Sequence, residues 1–409
     1  MLATSRATLF AALIASSCRP ISFCRSDGKD CAAAEARAHP AGEGGEAGQA
    51  GGASNPTIDC EFPLANCDES TLTGCEANVL QSPRHCGGCG KPCDGFCGEG
   101  RCFPFETIST IPISKAAGIA PATEHVYFVS RQLNGGTNIL ERISKRTGEI
   151  DTVLEGAPVD RIEALHIGLE RLYFGDSGGI YSIGFAGLGL REELKGDGFS
   201  TPLFTTTRDW LYWLGGAGLL RRPLNSIAAP VGMQLEATDV SLCGYPRELT
   251  VATTSYPESG SSYRAGVVTW PAVQWLAAGS GRILRLRTAL SGVYILVEAE
   301  SSGAPDTTQL YFVESDSTYA SLLASGIDFK DFAIDDYLGV IYVIFSDEYK
   351  SGVRVISHDL GLRLELWSRA PIEQLEVSLG VMWFFNPDPV EPSRSLLTRL
   401  DAAQLFEEP

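Results

Sequence analysis

Basic residues are in short supply: 32 Lys and Arg stand against 50 Asp and Glu, for a net charge of −18. Binding to a phosphate backbone is dominated by Lys and Arg, so nucleic acid is excluded as a partner class. Histidine is scarcer still, with 5 copies in 409 residues and no paired-histidine signature for a metal or a base. Apolar runs are short as well. Beyond the first 17 residues none approaches the ~20 that a membrane-crossing helix requires, so a membrane would be met only through a lipid on the N-terminus. With 44% hydrophobic residues, the composition is that of a globular chain, long enough for one large domain with appendages.

Residues 1–17 contain a basic Arg6, the apolar run Leu9 to Ala15 and small residues before Cys18, which reads as a secretory signal peptide. The stretch Ile14-Ala15-Ser16-Ser17-Cys18 resembles the lipobox of bacterial lipoproteins, although Ala15 stands where that family prefers Leu. The resemblance implies acylation of Cys18; the alternative is an ordinary cleaved signal in which Cys18 is incidental. Residues 18–57 follow as a tether, because Ala, Gly and Glu dominate from Ala32 to Pro56 and bury too little apolar surface to offset the entropy of ordering.

The cysteines are clustered. Of 12, eight lie between positions 60 and 102, at Cys60, Cys67, Cys75, Cys86, Cys89, Cys93, Cys97 and Cys102. Behind an export signal this spacing predicts a small module, residues 58–103, held by four disulfides rather than by burial. Eight cysteines allow 105 pairings, and the sequence does not choose among them. Cys24 and Cys31 make a further pair, leaving Cys18 for lipid and Cys243 free. A zinc site is the competing reading of Cys86, Cys89, Cys93 and Cys97 beside His85, and an oxidising compartment argues against it. The run from Asn66 to Asn78, with Gly74-Cys75-Glu76, and the run from His85 to Cys93, with Cys86-Gly-Gly-Cys89-Gly90, resemble a cysteine-rich module common in surface proteins of myxobacteria. The core is also similar to that of the plant stigma-specific secreted family. The resemblance covers Cys60 to Cys102 only. It implies extracytoplasmic placement and no catalytic residue.

From residue 104 onward a short strand centred on an aromatic recurs at Tyr127, Tyr173, Tyr212, Tyr294, Tyr342 and Trp383, with spacings of 46, 39, 82, 48 and 41. Halving the long gap lands on Thr253, inside the strand-like Leu249 to Thr253, which makes seven copies. Each copy has an apolar strand before it and another after it. That pattern predicts an all-β fold, a seven-bladed β-propeller over residues 104–409. Six blades remain open, and so do eight, because Leu310-Tyr311-Phe312-Val313 resembles a further copy; a β-sandwich is the weaker alternative. The last unit runs out of chain near Leu400, and the orphan strand from Thr107 to Ile113 would complete it and close the ring.

Gly175-Asp176-Ser177-Gly178-Gly179 matches the nucleophile loop of trypsin-like proteases, yet no upstream histidine has the context that chemistry needs. The same residues suit a hairpin turn, which is the preferred reading. No catalytic residue, cofactor or metal is assigned. Asp331, Asp335 and Asp336 lack the spacing of a calcium loop and read as turn residues. Cys243 reads as a buried small hydrophobe. The longer loops between second and third strands carry Tyr256, Glu258, Tyr263, Glu298, Glu300, Asp306, Asp347, Glu348, Tyr349, Asp388 and Glu391. They form an acidic, aromatic-bearing candidate binding face. The leading reading is therefore a monomeric, exported, surface-anchored, non-enzymatic protein that binds an extracellular protein or glycan. A propeller hydrolase or lyase using carboxylates of that face is the alternative, and a structural envelope protein is a third.

Overall fold

The computed structural model describes residues 60–406 apart from segments 69–72, 110–117, 132–137, 157–161, 163, 177–178, 196–202, 216–217, 236–238, 245–247, 256–260, 290, 300–306, 315–316, 318, 327–328, 337, 347–350, 358–360, 373 and 388–394. The segments read as signal and tether, with Cys18, Cys24 and Cys31, lie outside the described residues.

Seven antiparallel sheets form the blades of a β-propeller, at residues 119–155, 164–195, 204–234, 239–280, 282–326, 329–368 and 375–401. The innermost strands touch their neighbours all the way round, blade 7 to blade 1 included. Blade 7 receives its outer strand from Glu106–Ser109, which pairs with Ser395–Asp401. Of the strand expected from Thr107 to Ile113, residues 107–109 close the ring in this way, and 110–113 lie outside the described residues. Leu310 and Tyr311 lie in the third strand of blade 5, so the extra aromatic copy is not an eighth blade.

Each recurring aromatic lies in the second strand of its blade. In six blades it is the third residue of that strand, a place Val251 takes in blade 4, two residues before Thr253. These second strands are buried on both faces and read as continuous apolar runs, as in Val340–Ser346, rather than alternating with polar residues. Successive side chains go to opposite interfaces. Val126 and Phe128 pack with Trp383 and Phe385 between blades 7 and 1, whereas Tyr127 and Val129 pack with Leu172 and Phe174 between blades 1 and 2. The core is thus a ring of inter-blade layers around the channel. Gly244 on the inner strand of blade 4 shows how tightly inner strands approach. A Cβ there would stand 2.1 Å from the Thr206 carbonyl oxygen of blade 3, so only glycine fits.

The cysteine-rich region holds four disulfides, Cys60–Cys75, Cys67–Cys89, Cys86–Cys97 and Cys93–Cys102. Its last hairpin, Gly95–Gly98 with Arg101–Pro104, does not stand apart from the propeller. It extends the sheet of blade 6 through pairing of Cys97 with Trp367. Phe96 meets Phe105 at 4.6 Å between ring centroids, and Phe105 meets Phe384 of blade 7 at 4.9 Å. The module is therefore fastened at the junction of blades 6 and 7.

Candidate functional site

Seven inner strands line the central channel, and three of them carry a connected set of charges. Arg287 of blade 5 donates to both carboxylate oxygens of Glu376 in blade 7, at 2.8 and 2.9 Å, and to the Leu375 carbonyl at 3.2 Å. On the way it passes the Phe332 ring and the Asp331 carboxylate of blade 6, at 3.5 Å from the latter. Asp331 also meets Arg285 at 3.3 Å. Arg287, Asp331 and Glu376 are largely buried, while Arg285 keeps half of its side chain exposed. Burial works against the charge on Arg287, but Glu376 and Asp331 win and hold its guanidinium above the ordinary arginine range. The geometry is a two-toothed brace across blade 6. Its charges neutralise one another.

His166 and Cys243 also stand on inner strands. His166, in Ala164–Ile167 of blade 2, is pushed down to about 4 by burial, against a hydrogen bond with the Thr206 backbone. It is a neutral imidazole at physiological pH. Cys243, in Asp239–Gly244 of blade 4, is part-buried at the margin of the layer between blades 4 and 5, rather than fully enclosed as the sequence suggested.

Most of the predicted acidic face, namely Tyr256, Glu258, Glu300, Asp306, Asp347, Glu348, Tyr349, Asp388 and Glu391, lies outside the described residues. Glu298 is half-buried near the end of Gly292–Ala299, opposite the turn that leads into that strand. Tyr263 does not belong to a surface. It is 5% exposed and packs among Ile283, Val297 and Leu276 between blades 4 and 5, and burial raises its hydroxyl to about 12. Its place near the start of Ser262–Thr269, where alternation turns it inward, explains the difference.

The three aspartates are also corrected. Asp331 and Asp335 are buried within the inner strand Phe329–Asp335, and only Asp336 follows it. Burial, then the neighbouring Asp335 charge, raises the Asp336 carboxyl to about 7. Among the described residues no group of three or more His, Cys, Asp or Glu is placed to hold a metal ion. Ser177 lies outside the described residues; Asp176 pairs with Gly179 on either side of it, within an antiparallel hairpin.

A cleft of about 480 Å³ that the sequence did not announce opens between blades 7 and 1, at the end opposite the long loops. Lys145, Trp383, Arg399, Glu106 and Asp401 line it. Lys145 donates to the Ser378 hydroxyl at 2.7 Å, and burial lowers its ammonium to about 8 against the pull of Glu124. The Trp383 indole N–H has no acceptor among the described residues. Neither this cleft nor the channel brace has a local sequence signal, since Arg287 and Glu376 are 89 residues apart and Lys145 and Ser378 are 233 apart.

No protein-family model and no curated protein matches the sequence. Solved propellers do match the fold. The β-propeller domain of the Trilobed protease from Pyrococcus furiosus, described as having an open velcro topology, is similar at 10% identity and a TM-score of 0.55, over 71% of this chain and 94% of that one. Acylaminoacyl peptidase from Pyrococcus horikoshii is similar at 8% identity and a TM-score of 0.53, over 71% of this chain and 51% of that one. An oligogalacturonate lyase in complex with manganese follows at 10% identity and a TM-score of 0.50, over 68% of this chain and 86% of that one. The chain spans about half the length of the peptidase. At these identities the likeness shows the fold alone.

Proposed function

We propose that this chain is an exported, non-enzymatic binding protein, held at a cell surface through its N-terminus, whose propeller presents the long-loop face to an extracellular protein or glycan. The disulfides support an extracytoplasmic location. The observation that carries the binding reading is the channel brace. Arg287, Glu376, Asp331 and Arg285 are engaged with one another, so they offer no free acid and base at the place where a propeller could enclose a substrate. Loops on the rim of such a rigid ring are then the natural place for recognition. Glu298 represents the acidic character of that rim.

The test is a capture assay with the full mature chain, since the cysteine-rich hairpin shares a sheet with blade 6. A glycan panel and an extract of surface proteins are applied at two salt concentrations. Saturable retention of one component, weakened by salt and by E298K or D347K, is the expected result. The alternative reading, a hydrolase or lyase using carboxylates of the same face, draws on the propeller shared with the lyase and the peptidase. Release of fragments from a polymer substrate, with no retained partner, would replace the binding reading by that one.

A further inference from the structure

Within the six blades that carry it, the recurring aromatic has a cross-strand neighbour in the third strand, which in turn has one in the outer strand. In blade 1 this row is Tyr127, Arg142 and Asp151. In blade 7 it is Trp383, Arg399 and Glu106. Both arginines meet the acid beside them, at 3.3 and 2.6 Å. Blade 6 has the same pair one residue along, Arg354 with Glu365 at 2.7 Å. Blade 3 keeps the aromatic and the arginine, Tyr212 and Arg221, but its third member is Val231. The acid is missing.

Arg221 is held instead between two indoles. Its guanidinium carbon lies 4.1 Å from the centroid of Trp210, at the start of its own blade's second strand, and 4.2 Å from that of Trp270, in a turn of blade 4. Aromatic faces stabilise a cation, but they give its in-plane N–H groups no acceptor. No hydrogen bond or ion pair joins this guanidinium to another described residue, and its Nε is shielded from solvent without an acceptor. The side chain as a whole is half-buried, so a ligand can reach its edge.

We propose that Arg221, clamped between Trp210 and Trp270, is the docking point for a carboxylate of a protein partner, which fills the place that Asp151 and Glu106 occupy in blades 1 and 7. The clamp fixes the planar guanidinium in advance, which favours a two-pronged contact with a carboxylate. A peptide suits the surroundings better than an acidic sugar. The indole faces on which a sugar ring would stack are covered by the guanidinium, while Val231, its cross-strand neighbour, is 53% exposed and would receive an apolar side chain adjacent to the acid. This site lies toward the turn end of blades 3 and 4, away from the long loops, and does not depend on the reading of that face.

The test uses an array of hexapeptides with Glu-Leu at the centre and varied flanks, a matched array with Gln-Leu, and oligogalacturonate as a third probe, all applied to the full chain. Glu-Leu peptides should be retained roughly tenfold better than their Gln-Leu counterparts, as for a charge-assisted contact. R221M should abolish that preference. V231E, which restores the acid of blades 1 and 7, should abolish it too, with an unchanged circular dichroism spectrum and unfolding midpoint. E298K should leave it intact. Equal retention of both arrays, retention of neither, or a preference that survives R221M and V231E overturns the proposal; retention of oligogalacturonate alone overturns the protein partner.

Discussion

The cysteine-rich region and the propeller follow each other in one chain, yet they resist unfolding by different means. In the former the buried cluster consists of Cys86, Cys93 and Cys97, and four cross-links limit the unfolded chain. In the propeller Cys243 is the free cysteine among the described residues, and the layers between blades supply the burial instead. The two means meet at one place. Phe96, from inside the cross-linked hairpin, is fully buried in the layer that holds Phe384, Tyr342 and Leu366. A module too small for a core of its own borrows part of its neighbour's.

The largest effects are expected where that sharing, or the brace of the channel, is cut. Phe384→Ala removes the ring against which both Phe96 and Phe105 pack, and should cost about 3–5 kcal/mol of stability in denaturant unfolding. It should also raise hydrogen exchange in the hairpin 95–104. Arg287→Met strands Glu376 in a buried place and should cost a similar ~3–5 kcal/mol, whereas the double change with Glu376→Leu should recover most of the loss. Failure of the double variant to recover would mean that the brace sets the register of the blades and does more than balance charge.

A smaller effect separates the two regions directly. Cys93→Ser with Cys102→Ser opens the hairpin that lies on blade 6, at an expected cost of about 2–4 kcal/mol to the module. Protection from exchange should fall in residues 95–104 and along Gly361–Ser368, and stay in blades 1–4. If all seven blades lose protection together, the module and ring form one cooperative unit and are not held by separate means.

What could be read beforehand follows from the same contrast. Blades repeat because the second strand supplies a buried side chain to the next interface, and that demand leaves an aromatic at the same place in six of the seven blades, at Tyr127, Tyr173, Tyr212, Tyr294, Tyr342 and Trp383. Closure by Glu106–Ser109 was legible because the last unit lacks a strand. The cysteine count gave the cross-linked region but not its pairing, since spacing does not encode which thiols meet. Pairs such as Arg287 with Glu376, or Lys145 with Ser378, join different blades and leave no local pattern. Tyr263 was misassigned for a related reason: beside polar residues it resembles a loop position, and only the strand register turns it inward.

The smallest expected effect concerns acid, to which the two regions should respond differently, because disulfides do not titrate in this range. His166 has a folded value of about 4 against 6.5, so between pH 6.5 and 4 the unfolded chain binds a proton that the folded propeller refuses, and stability falls as pH falls. Asp336 has a folded value of about 7 against 3.8, so over that range the folded chain binds the extra proton, and stability rises as pH falls. The two slopes oppose each other between about pH 4 and 6.5 and should nearly mask one another in the unaltered protein. Asp336→Asn should therefore be more stable than the parent at pH 8 and should expose a loss of stability on acidification to pH 4. His166→Gln should show the reverse, gaining stability from pH 7 down to pH 4. Denaturant unfolding at several pH values decides it: parallel pH profiles for the two variants would show that neither group carries the linkage, and that both positions tolerate charge as readily as the surface does.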